Sequence, residues 1–428
     1  MQGLNSRIAA ARLLGKVLRE QAGLEDAFEA ECRDGLLAKE DARDRAFARA
    51  ILTTALRRKG FLDEALKKFI RKALPASSSA NEILHIAATQ MLFMRVPARA
   101  AISLAVESAK RDSKAKGFAN LINAVLHRLE AEAEKIMGPK PKPGIDAPRW
   151  LFARWQRNAG TETARAIAAA NLEEAPLDLS VKADAAEWAA RLGAEILPNG
   201  TLRLHDAQGR VDELPGFEQG AWWVQDQAAS LPARLLGNVS GKRVLDLCAA
   251  PGGKTAQLAA AGGLVTALDD SAARLERLKG NLARLGLAVE TVCADARDYA
   301  PQGLFDAILL DAPCSATGTL RRHPDIAWHR SDAQIRELAI LQRDMLAHAA
   351  GLLAPGGQLV FATCSLEKEE GEDHLDHIPE GLELDPIRPE ELPDPRLWKA
   401  PGVMRSLPQF GMDGFFAARF RKRGLANP

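Results

Sequence analysis

Residues 243–257, RVLDLCAAPGGKTAQ, restrict the fold more than any other stretch of this chain. Arg243 to Leu247 is a short apolar run of the kind found in buried parallel strands. Small residues, Pro251 and the Gly252-Gly253 pair follow, and Lys254, Thr255 and Leu258 open a helical pattern. Strand, glycine turn and helix in that order let backbone N–H groups at a helix N-terminus approach a ligand, because glycine has no Cβ to hold it off. Counting excludes two such turns. A P-loop needs a glycine five residues before the Gly-Lys-Thr, and Cys248 stands there. The dinucleotide pattern G-x-G-x-x-G is also absent.

The turn that remains is that of doubly wound enzymes binding S-adenosylmethionine (SAM). There the loop wraps the amino-acid end of the cofactor, and an acid ending the next strand takes the ribose hydroxyls. Leu264 to Asp269, LVTALD, supplies that strand and acid, with Asp270 a nearby substitute. The plainer alternative is a βαβ unit with a tight turn and no ligand.

From Gly220 onward strands alternate with helices, at 243–247, 264–269, 289–293, 305–311 and 358–363. The pattern predicts a parallel doubly wound sheet, whose ligands bind beyond the carboxyl ends of the strands. The third strand ends at Asp295, placed for the adenine end of a nucleoside. The fourth ends in Asp311-Ala312-Pro313-Cys314 and the fifth in Thr363-Cys364. Such strands are neighbours about 4.8 Å apart, so both cysteines should face one crevice. A lone cysteine there is more often a small buried residue; two beside a carboxylate fit a reaction. C5 of cytosine is a poor nucleophile, and a thiolate adding to C6 converts the ring into an enamine able to take a methyl group. A carboxylic acid such as Asp311 can protonate N3, and a second cysteine can assist when the C5 proton and the thiol depart.

The rest of the chain is helical at its start and mixed in its middle. With 428 residues, 47% hydrophobic and 26% charged, it has room for two or three ordinary globular domains. No apolar run has the length of a membrane span and the N-terminus lacks a secretory profile, so a cytoplasmic protein is expected. The five cysteines are scattered without C-x-x-C, which points away from disulfides and zinc; no metal is expected. Residues 1–140 hold 25 Lys and Arg against 17 Asp and Glu, and the remainder 32 against 39. A basic first domain suits a polyanion, though a solvated basic surface accounts for the charge equally well. Residues 6–137 keep helical periodicity almost throughout, as in Ile83, Ile86, Ala87 and Met91, and predict an all-α domain.

Two resemblances follow from these motifs. ARAILTTALRRKGFLDEAL (48–66), NEILHIAATQMLFM (81–94), VPARAAISLAVESAKR (96–111) and FANLINAVLHRL (118–129) resemble the NusB-like RNA-binding fold. That implies RNA contact through basic residues such as Arg57, Arg58, Lys59, Lys67, Lys68, Arg71 and Lys72. DLCAAPGGKT (246–255), DAPCSATG (311–318), RRHPDIAW (321–328), ATCSLEKEEGE (362–372), DGFFAARF (413–420) and VQDQAAS (224–230) resemble the NOL1/NOP2/Sun family of RNA cytosine-5 methyltransferases. With the helical domain in front, the chain is similar to bacterial members acting on small-subunit rRNA. The resemblance implies Cys364 as nucleophile and Cys314 assisting release. It implies SAM contacts at Cys248, Ala249, Ala250, Pro251, Gly252, Gly253, Lys254, Asp269, Asp295 and Asp311. The departures are Ala316, where glycine is common, Glu367-Lys368, which follow Ser365-Leu366 in a variable spot, and, in the connector, Lys182, where asparagine is frequent.

The expected organisation is an all-α domain over 1–138, a Pro/Gly linker over 139–147, a small α+β connector over 148–216 and the SAM-dependent methyltransferase domain over 217–423. The connector carries helical patterns at 150–158 and 162–171 and strand patterns at 176–182 and 201–206. The target base must be unpaired or swung out, so a loop of rRNA is the expected substrate and RNA the expected partner. Arg321, Arg322 and His323 can meet phosphates or form a surface turn, and Trp328 is a core candidate. A monomer is expected. The competing functions are tRNA methylation, attack by Cys314 instead of Cys364, and a non-catalytic RNA-binding or antitermination factor.

Overall fold

The structure, a computed structural model, describes residues 3–138, 142–205 and 209–424, so residues 139–141 of the expected linker lie outside it. The chain packs as two compact units. One comprises the residues up to Glu173 together with Leu320–Arg330; the other comprises Glu174–Thr319 and the residues from Ser331 onward. The stretch 148–216 is thereby shared: its helices Arg149–Ala159 and Thr161–Ala170 pack with the first unit, its strands with the second.

The first unit is helical, as its 3.6-residue periodicity predicts. Helices Leu4–Glu20, Ala42–Arg57, Ala80–Phe93, Ala98–Arg111 and Ala119–Ala131 enclose a core of Leu13, Leu14, Ile51, Leu52, Leu84, Ile122 and Leu126. Asp41 caps the Ala42–Arg57 helix, its side chain accepting the Asp44 N–H at 2.8 Å. The segment 320–330 completes this unit. The Trp328 indole donates to the Leu56 carbonyl (3.1 Å) and lies 5.0 Å under the Lys59 ammonium, while the Leu24 N–H donates to Asp325 (3.1 Å). Neither reading of RRHP, surface turn or phosphate contact, therefore holds for Arg321. That residue is 5% exposed and its carbonyl accepts from Arg57, because the turn is plugged into the helical core.

In the second unit, strands β1 (Leu177–Val181), β2 (Glu195–Ile196), β3 (Leu202–Leu204) and β4 (Trp222–Val224) make an antiparallel sheet in the order β2-β3-β1-β4. The larger sheet contains β5 (Arg243–Leu247), β6 (Leu264–Asp269), β7 (Glu290–Cys293), β8 (Phe305–Asp311) and β9 (Leu353–Thr363). It ends with β10 (Leu382–Leu384), β11 (Trp398–Lys399), β12 (Val403–Arg405) and β13 (Phe416–Lys422). Its order is β11-β12-β13-β9-β8-β5-β6-β7, with β10 also on β13. The five strands read from the sequence are parallel neighbours, as expected. The sheet is mixed rather than wholly parallel, because β13 adds antiparallel to β9 from Phe416↔Thr363 to Arg421↔Gln358. Both faces are covered. Val244, Leu309 and Val360 join one apolar layer, while Leu245, Ile308 and Leu359 join the other. That burial explains why the parallel strands read as continuous apolar runs. Among the described residues no helix is long and apolar enough to cross a membrane.

Candidate active site

The carboxyl ends of β5, β6, β7, β8 and β9 open into one cleft of about 880 Å³, lined among others by Cys248, Ala250, Asp269, Asp295, Asp311, Cys314 and Cys364. After β5 the chain turns through Cys248 at φ 61°, a left-handed conformation that costs a non-glycine residue about 1 kcal/mol. Gly252 at φ 102° then starts the Gly253–Ala260 helix, and no side chain caps that helix. A Cβ at Gly252 would sit 3.1 Å from Leu278, so the loop needs glycine for both conformation and space. Ala249, Pro251, Gly252, Gly253 and Lys254 belong to this turn but do not line the cleft.

Asp269 anchors the loop. Its carboxylate is 1% exposed and accepts the Ala250 N–H (3.2 Å) and the Ser271 N–H (3.0 Å), with Arg274 at 3.0 Å. Asp295 lies at the rim, where hydrogen bonds from Arg297 hold its carboxyl at about 2. Arg274 and Arg297, together with Leu341 and Met345, line the cleft and were not found from the sequence. Nothing in their local pattern sets them apart from surface arginines and helix-core residues.

At the other end the two cysteines meet. Cys314 Sγ and Cys364 Sγ are 3.3 Å apart. Gly318 N–H donates to the Cys364 carbonyl at 3.0 Å and Gly414 N–H to the Gly318 carbonyl at 2.8 Å. A Cβ on Gly318 would lie 2.0 Å from the Gly414 carbonyl oxygen, which explains glycine in both SATG and DGFF. Ala316 adopts φ 58°, a left-handed conformation that favours glycine over alanine. The hydrogen bond to Cys364, then burial, pushes the Cys314 thiol well above its ordinary value. Burial, then Asp311 and Asp269, does the same to Cys248, which stays a neutral thiol. The Lys254 ammonium donates to Asp311 Oδ2 at 2.6 Å; burial pulls it down, but Asp311 outweighs that and leaves it raised.

The VQDQ motif lies beneath the glycine loop rather than in the cleft. Gln225 accepts from Ser180 (2.7 Å) and Trp223 (3.0 Å) and donates to Gln257 (2.7 Å) of the Gly253–Ala260 helix. Asp226 accepts the N–H groups of Ala228 (2.8 Å) and Asp413 (3.1 Å). Lys182 donates to the Leu285 carbonyl at 2.7 Å, satisfying the C-terminus of helix Ala272–Leu285. In the helical unit, Arg57, Arg58 and Lys59 engage Arg321, Asp146 and Asp63 internally, whereas Lys67, Lys68, Arg71 and Lys72 are exposed.

Comparison with known proteins agrees with both halves of this picture. Residues 233–421 match a family model described as 16S rRNA methyltransferase RsmB/F, and residues 4–131 match the NusB family. The chain is 37% identical over 394 residues to ribosomal RNA small subunit methyltransferase B of Xanthomonas campestris pv. campestris, covering 87% of each. To the protein of that name from Pseudomonas putida it is 36% identical over 444 residues, covering 98% of this chain and 99% of the relative. Among solved structures, the crystal structure of PH0851 superposes with a TM-score of 0.74 at 26% identity, covering 99% of each chain.

Proposed function

Because the chain belongs to the RsmB/F family of 16S rRNA methyltransferases, we propose that it transfers a methyl group from SAM to C5 of a cytosine in RNA, with small-subunit rRNA as substrate. The observation that carries the chemistry is the pair of thiols at 3.3 Å beside the Asp311–Lys254 pair.

The residues present fit SAM. The uncapped N-terminus of the Gly253–Ala260 helix suits a carboxylate, and Asp269 and Asp295 stand at successive strand ends along the cleft. Cys248 and Ala250, which line the cleft, would hold the amino-acid end with the rest of the turn through Lys254 shaping it from behind, Asp269 the ribose and Asp295 the adenine side. When bound, SAM supplies an electrophilic methyl group on a sulfonium.

The protein's own groups do the rest. Cys364, deprotonated, attacks C6 of cytosine and forms the S–C6 bond, while N3 takes a proton from Asp311. Lys254, 2.6 Å from that carboxyl, is the ammonium that can pass one on. The electron pair gathered at C5 forms the new carbon–methyl bond. Cys314, held as a neutral thiol, is suited to proton handling rather than attack. The C5 proton passes to Cys314 once that thiol has released its own proton to solvent, the C5–H electrons restore the ring double bond, the S–C6 bond breaks with its electrons on Cys364, and N3 returns its proton to Asp311. The helical unit, with its exposed Lys67, Lys68, Arg71 and Lys72, provides phosphate contacts.

Denaturing gels of protein incubated with SAM and 16S rRNA test the assignment. Cys314→Ala should leave a protein–RNA adduct, because attack proceeds and release stalls. Cys364→Ala should give neither adduct nor methylation. The mirror-image result would reverse the roles, and equal or better labelling of tRNA would sink the rRNA assignment.

A further inference from the structure

We propose that Glu370 is a positioning residue that holds the two reactive cysteines at working distance by binding the serine that follows each of them. The inference rests on the cysteine chemistry just described. Cys314 and Cys364 stand on separate loops, 50 residues apart in sequence, and no covalent link joins them. Each is followed by a serine, Ser315 and Ser365, and both serines are fully buried. Between them lies the fully buried carboxylate of Glu370.

Its Oε1 accepts the Ser315 N–H at 2.8 Å and the Gln342 amide at 3.2 Å. Its Oε2 accepts the hydroxyls of both Ser315 and Ser365. One carboxylate thus receives four donors and ties the Cys314 loop directly to the Cys364 loop. A buried carboxylate is stable only with such compensation.

The support beneath is ordered too. The Thr363 hydroxyl donates to the Glu370 carbonyl at 2.8 Å, and Gln342 also donates to the Pro313 carbonyl at 2.8 Å. Gln342 in turn receives a hydrogen bond from His374 Nε2 at 3.0 Å; burial pushes that imidazole down to about 4, so it is a neutral donor. Gln342 and Glu370 therefore hold Pro313 and Ser315 on either side of Cys314, while the Glu370 backbone carbonyl and carboxylate hold Thr363 and Ser365 on either side of Cys364. Glu370 does not line the cleft, so its influence runs through the two loops rather than through substrate.

Glu370→Gln tests this in the full chain. The amide keeps the shape and the Oε1 acceptor but places a donor where two hydroxyls donate; Glu370→Ala is the harsher companion. The first readout uses phenylarsine oxide, a probe of paired thiols. Its arsenic forms two As–S bonds, and its oxygen leaves as water with the two thiol protons; no oxidation occurs. Capture at Cys314 and Cys364 is followed by mass spectrometry, with Cys314→Ala as background. The expected result is capture slowed about tenfold in Glu370→Gln, and kcat for RNA methylation lowered about tenfold or more, with KM for SAM within about twofold. Wild-type capture kinetics in Glu370→Gln would overturn the proposal, as would slowed capture with unchanged kcat. Parallel loss of capture, SAM affinity and melting temperature would make Glu370 merely structural, and overturn it as well. Wild-type protein that captures the arsenical but methylates no RNA would instead strike down the catalytic reading on which the role rests.

Discussion

The two ends of the cleft are built on opposite principles. At the glycine-loop end, the groups along the cleft are carboxylates each steadied by a neighbouring arginine: buried Asp269 by Arg274, and Asp295 at the rim by Arg297. At the cysteine end, thiols, hydroxyls and one buried carboxylate hold one another with little solvent, and the Lys254–Asp311 pair closes the set. Reversible binding of a polar molecule needs charges already steadied by partners of opposite sign, as Asp269 and Asp295 are by their arginines. A covalent step needs two sulfurs held to a fraction of an ångström, and only a satisfied, dry network gives that. Substitutions at the two ends should accordingly fail in different kinetic parameters.

The largest separation is expected from Asp311→Asn, which removes the acid at the cysteine end. Stopped tritium-transfer assays should show kcat lowered about 10²-fold or more, with SAM affinity nearly unchanged. A loss confined to KM for SAM would move Asp311 to the cofactor end. Asp246, which lies under both ends, sharpens the contrast through pH. Burial raises its carboxyl to about 7, with Thr255 donating to Oδ2 at 2.6 Å. The native state therefore binds a proton that the unfolded state gives up near pH 4. Stability should fall as pH rises from about 4 to 7, by a few kcal/mol at most. Denaturant midpoints across that window should fall less steeply for Asp246→Asn; an unchanged slope would refute the assignment.

Asp295→Ala probes the cofactor end alone. Calorimetry should show SAM binding weakened about tenfold, while kcat at saturating SAM holds. The smallest effect belongs to Ala316→Gly. It relieves a left-handed alanine but adds freedom to the unfolded chain, so denaturation should report a gain of about 0.5 kcal/mol. A loss of stability there would mean that the alanine methyl packs against something worth more than the strain.

The same contrast governs what the sequence made legible. The cofactor end announces itself through local pattern: an apolar strand, glycines at fixed places, an acid at the next strand end. Strands β5 to β9 and the meeting of Cys314 with Cys364 were readable for that reason. Glu370 was not, since it sits in EKEEGE, a charge run that reads as solvated surface. Only tertiary packing decides which of those acids is buried. Strands β10 to β12 have two or three residues each, too few for any period, and β13 was noticed as a motif without being drawn as a strand. The burial of Arg321 escaped for a related reason: its partner Arg57 lies 264 residues away.

That distance bears on how the protein is made. The helical unit draws its last piece, Leu320–Arg330, from about 150 residues beyond Glu173, roughly 7 to 30 seconds later in synthesis at ordinary elongation rates. Until then the Leu56 and Val17 carbonyls lack the Trp328 and His329 nitrogens they meet in the finished fold, and the Leu24 amide lacks Asp325. The helical unit, most of which is made before the second, is thus finished only after much of the second has been made. Its maturation is timed by translation of the second.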